Sequence, residues 1–364
     1  MERKTIFGFL VLAGILCVLL VSAGCTNNAA GNSARTGDQQ GPVSSVSTGT
    51  DTCTPITINQ TDGTPVTLPC RPERLIVANA NAAEMVIALG AADKIVGGTD
   101  STLSVSYIRD KIPNATSIGN WQTPNVEEIL ALHPDAVISY SSYKPKNLDQ
   151  ITAANVTVIS LDCYRLGTLA SDARAIGTLT GRSQKAESYA QMVEKSVDTV
   201  MTKTASMNES EMPGVYFESY TAYTAAANGS GSNELLVLAG GKNSAGYSDT
   251  ASMKVSPEWV VSQKPAYVMK VVSSSNTVPL ADIVANISAR TGWATMPAVE
   301  SDHVYAFAND VEYGPRAYIG LAYTAKILHP EMFGDLDPEQ MLNDYAGTYV
   351  SGTNESGMVY PDPG

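Results

Sequence analysis

Two stretches decide how this chain folds: "NVEEILALHPDAVISY", residues 125–140, and "VSPEWVVSQKPAYVMKVV", residues 255–272. Each reads as a short helix, a turn carrying a proline, and an apolar strand. In each, a glutamate stands seven residues before the proline: Glu127 before Pro134, and Glu258 before Pro265. Asn125 is a good N-cap with Glu128 three residues on, a capping-box pattern, and Ser256 is a good N-cap followed by Pro257 at the first helical position. Both placements put the glutamate in the first turn, where the helix dipole favours a carboxylate by about 0.3–1 kcal/mol. Either glutamate alone is accounted for by that effect. The pairing suggests one unit built twice.

Around these units, strands alternate with helices. "RLIVAN" predicts a buried strand, "AAEMVIALG" a helix closed by Gly90, and "KIVGGT" a second strand. After the first unit come the helix "NLDQITAAN" and the strand "VTVISLD". Such alternation means a parallel α/β sheet. From 167 to 207 the strand signal stops and one long helical pattern runs, bent near Gly181. A second half then opens at Pro213 with the strand "GVYFESY", the loop "TAYTAAANGSGSN", the helix "ELLVLAGG", the second unit, the helix "PLADIVANISAR" and the strand "HVYAF". The fold class is α/β, with two Rossmann-like lobes joined by a single long helix. The expected boundaries are 51–166 for the N-terminal lobe, 167–207 for the connecting helix, 208–347 for the C-terminal lobe and 348–364 for a tail.

The N-terminus points to export. "MERK" precedes the apolar run "TIFGFLVLAGILCVLLV", which ends in "VSAGC". The ending resembles a lipobox, with residues 1–24 as signal peptide and Cys25 lipidated, although Ser22 stands where a branched aliphatic is usual. An uncleaved membrane anchor is the alternative, and either leaves the body tethered on the outer face of the cytoplasmic membrane. Residues 25–50 form a polar linker with almost nothing to pack. Cys53 and Cys70 flank two alternating segments around an Asp62-Gly63 turn, and pairing those strands brings the cysteines together for a disulfide. Cys163 is then a free, buried thiol.

A net charge of −13 and the lack of any basic run rich in aromatics exclude a nucleic-acid surface. No G-x-S-x-G elbow, P-loop or HExxH occurs, and "AGGKNSAG" at 239–246 lacks phosphate-loop spacing. The three histidines, His133, His303 and His329, are too scattered for a bare-metal receptor, so no protein-held metal and no cofactor are expected. Aromatics say more: 17 tyrosines stand against 5 phenylalanines. Tyr216, Tyr220, Tyr223, Tyr247, Tyr313 and Tyr318 fall at or after predicted strand ends, where α/β sheets bind ligands. Their flat faces and polar tips suit a bulky organic ligand. Trp121 precedes the helix of Glu127, and Arg316 opens a helix after Gly314-Pro315, placed to meet an anionic chelate.

Together these features resemble the periplasmic binding proteins of ABC importers for iron–siderophore complexes, haem and cobalamin. The resemblance covers about 55–345 and is carried by "VTLPCRPERLIVANANAAEMVIALGAADKIVGG", "GNWQTPNVEEILALHPDAVIS" and "WATMPAVESDHVYAFANDVEYGPRAYIGLAYTAKILHPEMF". It implies two lobes with a ligand cleft between them and a surface glutamate on each that docks onto permease arginines, here Glu127 and Glu258. It also implies an aromatic cleft residue at Trp121, as in cobalamin-binding members, and a cleft arginine at Arg316. The expected ligand set is Trp121, Tyr220, Tyr223, Tyr313 and Arg316. The expected function is a non-enzymatic lipoprotein receptor that hands a metal chelate to an ABC permease dimer and its ATPase. An iron–siderophore comes first and a corrinoid or haem next. Readings from other classes are an extracytoplasmic enzyme or a sensor on the same scaffold.

Overall fold

The computed structural model describes residues 53–273, 276–350 and 357–364. The expected signal peptide, the lipidated Cys25 and the linker lie outside the described residues. No described helix is long and apolar enough to cross a membrane.

Strands β1 (Ile56–Asn59) and β2 (Pro65–Leu68) form an antiparallel hairpin, and Cys53 is bonded to Cys70 across its open end with a Cα–Cα distance of 5.2 Å. The N-terminal lobe follows as a five-stranded, all-parallel sheet. Its strands are β3 (Leu75–Val77), β4 (Ile95–Gly98), β5 (Thr116–Ser117), β6 (Ala136–Ser139) and β7 (Thr157–Ser160), in the order β5-β4-β3-β6-β7. The C-terminal lobe carries β8 (Gly214–Glu218), β9 (Thr224–Ala226), β10 (Lys242–Asn243), β11 (Ser252–Lys254), β12 (Tyr267–Val272), β13 (Val304–Ala308) and β14 (Val359–Tyr360). Their path is β11-β9-β8-β12-β13-β14, with β10 also on β8. The β8-β12-β13 centre is parallel and the β9, β11 and β14 pairings are antiparallel. The chain is thus two α/β lobes.

The repeated unit is real in three dimensions. Asn125 caps the helix Val126–Ala131 by accepting from the N–H of Glu127 at 3.0 Å, and Ser256 caps Pro257–Gln263 by accepting from Trp259 N–H at 3.1 Å. The reciprocal half of the expected capping box is not made, because the Asn125 N–H donates to the Ile118 carbonyl. Both helices end in a left-handed residue directly before the proline, His133 at φ 45° and Lys264 at φ 46°. The residue after each proline then donates its N–H to the neighbouring parallel strand region, Asp135 to Arg74 O at 2.9 Å and Ala266 to Gly214 O at 2.8 Å. Cap, left-handed stop and strand attachment recur together.

Three expectations are corrected. The helical run over 167–207 is two helices, Leu166–Thr180 and Ser183–Thr204, and the chain reverses between them at Gly181, φ +72°. Arg174 pairs with Glu187 at 2.7 Å and with Glu194 at 2.5 Å. On one straight helix, twenty residues would span about 30 Å. A methyl on Gly177 would come within 2.3 Å of Ala186 Cβ, so glycine there lets the two helices pack closely. Ser183–Thr204 alone, about 33 Å long, leads from one lobe to the other. The second correction is that "TAYTAAANGSGSN" contains strand β9. Third, the tail contributes β14, an edge strand paired antiparallel to β13.

Candidate functional site

The carboxyl ends of the parallel strands in both lobes face a cleft of about 790 Å³, within the range of organic-ligand pockets. Its most distinctive feature is a run of neighbouring aromatic rings, in edge contact except for the stacked pair Tyr313–Tyr220. Trp121 lies 6.0 Å from Tyr140, Tyr140 6.4 Å from Tyr164, Tyr164 5.7 Å from Tyr313, and Tyr313 6.5 Å from Tyr220, while Tyr143 packs 6.4 Å from both Trp121 and Tyr140. The run passes from the N-terminal lobe to the C-terminal lobe at the Tyr164–Tyr313 contact. Serine and asparagine complete the wall, including Asn81, Ser101, Ser219, Ser252 and Asn309. Among the described residues, none of those lining the cleft carries a charge.

Each ring is placed by its local backbone. Tyr140 and Tyr143 sit in the turn after β6 and Tyr164 in the turn after β7. Asp162 accepts from the backbone N–H groups of Ser141 and Ser142 at 2.8 and 3.1 Å, and so ties the first of those turns to the second. The tip of the β1–β2 hairpin supports the second turn. Thr61 Oγ1 accepts from Asp162 N–H at 2.8 Å and donates to Asp172, whose other oxygen accepts from Cys163 N–H at 2.9 Å. On the opposite wall, Gly231 has no side chain because a Cβ would meet the Tyr313 ring at 2.7 Å. The Tyr220 hydroxyl donates to Asn309, and Lys270 Nζ donates to the carbonyls of Ser219 and Tyr220.

Burial, more than any neighbouring charge, pushes the phenols of Tyr140, Tyr164, Tyr220 and Tyr313 up, so the cleft presents neutral hydroxyl groups. Behind Tyr313 the Glu312 carboxyl is fully buried, with no partner at hydrogen-bond geometry. Burial pushes it far above the carboxylate range, against the opposing pull of the nearby Ser232 and Tyr313 hydroxyls. That burial favours the neutral acid over the carboxylate.

Asp172 gives a pH signature. Burial raises its carboxyl to about 6 from an ordinary 3.8, the hydrogen bonds from Cys163 and Thr61 opposing. Between those values the folded chain holds a proton that the unfolded chain has lost, so stability falls as pH rises from 4 to 6. The expected decline from this group is on the order of 3 kcal/mol. Urea unfolding at pH 4 and pH 7 should show that decline in the wild type and a flatter profile in Asp172→Asn.

Of the five residues expected to bind ligand, Trp121, Tyr220 and Tyr313 line the cleft. Tyr223 does not. At φ +57° its N–H turns onto Glu218 at 2.8 Å, and its ring covers the Arg290 guanidinium at 4.8 Å, in a cluster with Trp293. Arg316 does not line it either. It is 1% exposed, its Nε donates to Glu84 at 2.8 Å, and its guanidinium lies over the rings of Tyr107 and Tyr345. Glu84 also accepts from the hydroxyls of both tyrosines. Arg316 therefore belongs to a buried inter-lobe tie. Among the other tyrosines singled out, Tyr216 and Tyr318 are buried and Tyr247 is exposed away from the cleft lining. Tyr140, Tyr143 and Tyr164 were missed, although the strand-end rule that selected Tyr220 and Tyr313 points to them as well. Glu127 and Glu258 are both exposed in the first turns of their helices. Its own backbone N–H and the Ser256 hydroxyl hold the Glu258 carboxyl below its usual range. No group of three or more His, Cys, Asp or Glu side chains that could hold a metal ion occurs among the described residues.

This two-lobed scaffold with a cleft at the strand ends is shared with known proteins, and the chain belongs to the periplasmic binding protein family, whose model matches residues 75–311. It is similar to an uncharacterized ABC transporter substrate-binding lipoprotein, YvrC, of Bacillus subtilis, 24% identical over 89% of this chain and 98% of that one. It is also similar to the molybdate-binding protein MolA of Haemophilus influenzae, 28% identical over 77% of this chain and 86% of that one. The solved structure of MolA with molybdate superposes with a TM-score of 0.69 at 20% identity, covering 82% of this chain and 99% of MolA. A cobalamin-binding protein of Halobacterium salinarum is 28% identical over 69% of each chain.

Proposed function

We propose that this chain is the substrate-binding component of an ABC importer and that it captures a bulky metal chelate without net charge, a corrinoid before an iron–siderophore. The observation that carries this reading is the uncharged cleft crossed by six aromatic rings. Burying an anionic chelate requires cationic partners, and the removal of Arg316 from the cleft leaves none in its wall. A small oxyanion would leave most of 790 Å³ unfilled. A flat, amphipathic macrocycle suits ring faces flanked by serine and asparagine donors. The cobalamin-binding relative supports the corrinoid, and the lipoprotein among the relatives supports a tether at Cys25. The chemistry is binding alone, in three stages of capture, modest closure of the lobes, and release to the permease and its ATPase.

Quenching of Trp121 fluorescence tests this directly. Cyanocobalamin is expected to bind, and a trianionic ferric catecholate is not. Tyr164→Ala, which breaks the inter-lobe ring contact, is expected to weaken cyanocobalamin binding about tenfold, from a loss of about 1–1.5 kcal/mol. Tight binding of the catecholate with none of cyanocobalamin contradicts the reading. Binding only of an uncharged ferric hydroxamate keeps the uncharged class and moves the ligand to the siderophores.

A further inference from the structure

We infer that Asp162 is the positioning residue of the N-terminal cleft wall, fixing three of the six ligand-facing rings from behind without touching the ligand. The inference rests on the cleft being the binding site. Asp162 is 1% exposed and is not among the cleft-lining residues. One carboxylate oxygen accepts from the N–H groups of both Ser141 and Ser142, and the other accepts from the Ser142 hydroxyl. Those two serines are the whole segment between Tyr140 and Tyr143. The backbone of Asp162 lies two residues before Tyr164, and its N–H is held by Thr61 of the disulfide-closed hairpin. A single side chain thus couples the turn after β6 to the turn after β7 and sets the spacing of Tyr140, Tyr143 and Tyr164. A carboxylate suits this role because it accepts on both oxygens and forms charge-assisted bonds. Serine between the tyrosines supplies a third donor that alanine or glycine would lack.

The geometry also ranks the substitutions. Asparagine in place of Asp162 would keep a carbonyl oxygen for both backbone N–H groups, and the Ser142 hydroxyl can turn to accept from the amide. Alanine takes the shared acceptor away from the N–H groups of Ser141 and Ser142, which then lose the bonds that hold the turn. In Asp162→Ala, hydrogen exchange of the 140–143 amides is expected to rise about tenfold or more, with exchange in Ser183–Thr204 and in β12 unchanged. Cyanocobalamin affinity is expected to fall about tenfold. Asp162→Asn should recover most of both effects, and should it do so while Ser142→Ala shows a smaller loss, the positioning role holds. If Asp162→Ala fails to fold, Asp162→Asn and Ser142→Ala carry the same comparison. Unchanged exchange at 140–143, a rise spread evenly through the lobe, or affinity unmoved by a loosened turn would each overturn the inference. Should the wild type not take cyanocobalamin, the ligand reading fails, and the exchange data alone decide for or against Asp162.

Discussion

Replacing Arg316 with methionine is expected to destabilise the chain by about 3–5 kcal/mol and to leave cyanocobalamin affinity of the folded fraction within about threefold of wild type, less than 1 kcal/mol. The reason is where the guanidinium sits. Arg316 is 1% exposed and Glu84 4% exposed, so neither ion is screened by water and each needs the other. Methionine removes the Nε donor, and the donors to Glu84 described beside it are the neutral hydroxyls of Tyr107 and Tyr345. Two neutral donors do not replace a counter-ion in a dry site. The tie also crosses the molecule. Glu84 lies on the helix Ala80–Ala88 of the N-terminal lobe and Tyr107 on Ser106–Lys111, while Arg316 directly precedes Ala317–Leu328 and Tyr345 lies on Pro338–Thr348. Tyr189 of the connecting helix reaches the same place through its hydroxyl, which donates to the Pro315 carbonyl. Losing the pair therefore loosens the seam between lobes and not only one helix end. Neutralising the partner as well, in Glu84→Gln/Arg316→Met, should return much of the loss, because what is costly is the unpaired charge. Urea denaturation of the two single variants and the double variant measures this. A stable Arg316→Met that no longer binds would show that the arginine reaches the ligand.

Arg316 also shows why some of the architecture was legible in the sequence and some was not. Period and punctuation are local. The strands of both sheets, the capped helices of Glu127 and Glu258 and the disulfide-closed hairpin could be read from alternation, N-cap residues and proline because those signals act within a few residues. At Gly181 a bend could be read, but the full reversal of the chain could not. Helical spacing runs unbroken on either side, a single glycine is tolerated inside a helix, and only the pairing of Arg174 with Glu187 and Glu194 reveals the turn. Arginine after a Gly-Pro turn at a strand end looks the same from the sequence whether it faces a cleft or a buried carboxylate 232 residues away. Tyr216 and Tyr220 sit four residues apart, yet one is fully buried and the other half exposed. Tyr216 is the central residue of β8, packed in the core, whereas Tyr220 lies two residues past its carboxyl end, where the chain enters the cleft wall. The cleft's composition was legible as an excess of tyrosine. Which tyrosines converge depended on two sheets presenting their carboxyl ends to one space.

Reversing both glutamates, Glu127→Arg with Glu258→Arg, is expected to abolish ligand uptake into cells while leaving ligand affinity and folding nearly unchanged. Both carboxylates are exposed and make no ion pair among the described residues, so their loss costs the fold little beyond the helix-terminus effect of about 0.3–1 kcal/mol each. Neither lies in the cleft wall. What the pair shares is presentation. Each is in the first turn of a helix fixed at one end by a side-chain cap and at the other by a left-handed residue before proline, and each helix is anchored to its own sheet by the strand that follows. A flexible loop could not hold a charge in a defined place in this way. Fixed acidic points, one on each lobe, suit a partner that offers basic groups to both lobes at once. Arginine in their place turns two attractions into two repulsions, and mismatched charges across an interface cost several kcal/mol. One reversal alone should give an intermediate defect, and glutamine at both positions a milder one than arginine. The measurement is uptake of labelled cyanocobalamin by cells producing either form, beside its binding to the purified proteins. If the glutamates serve only their helices, the double variant unfolds slightly more easily and uptake does not change. If instead affinity falls with the fold intact, the two residues belong to ligand capture and the docking role is wrong.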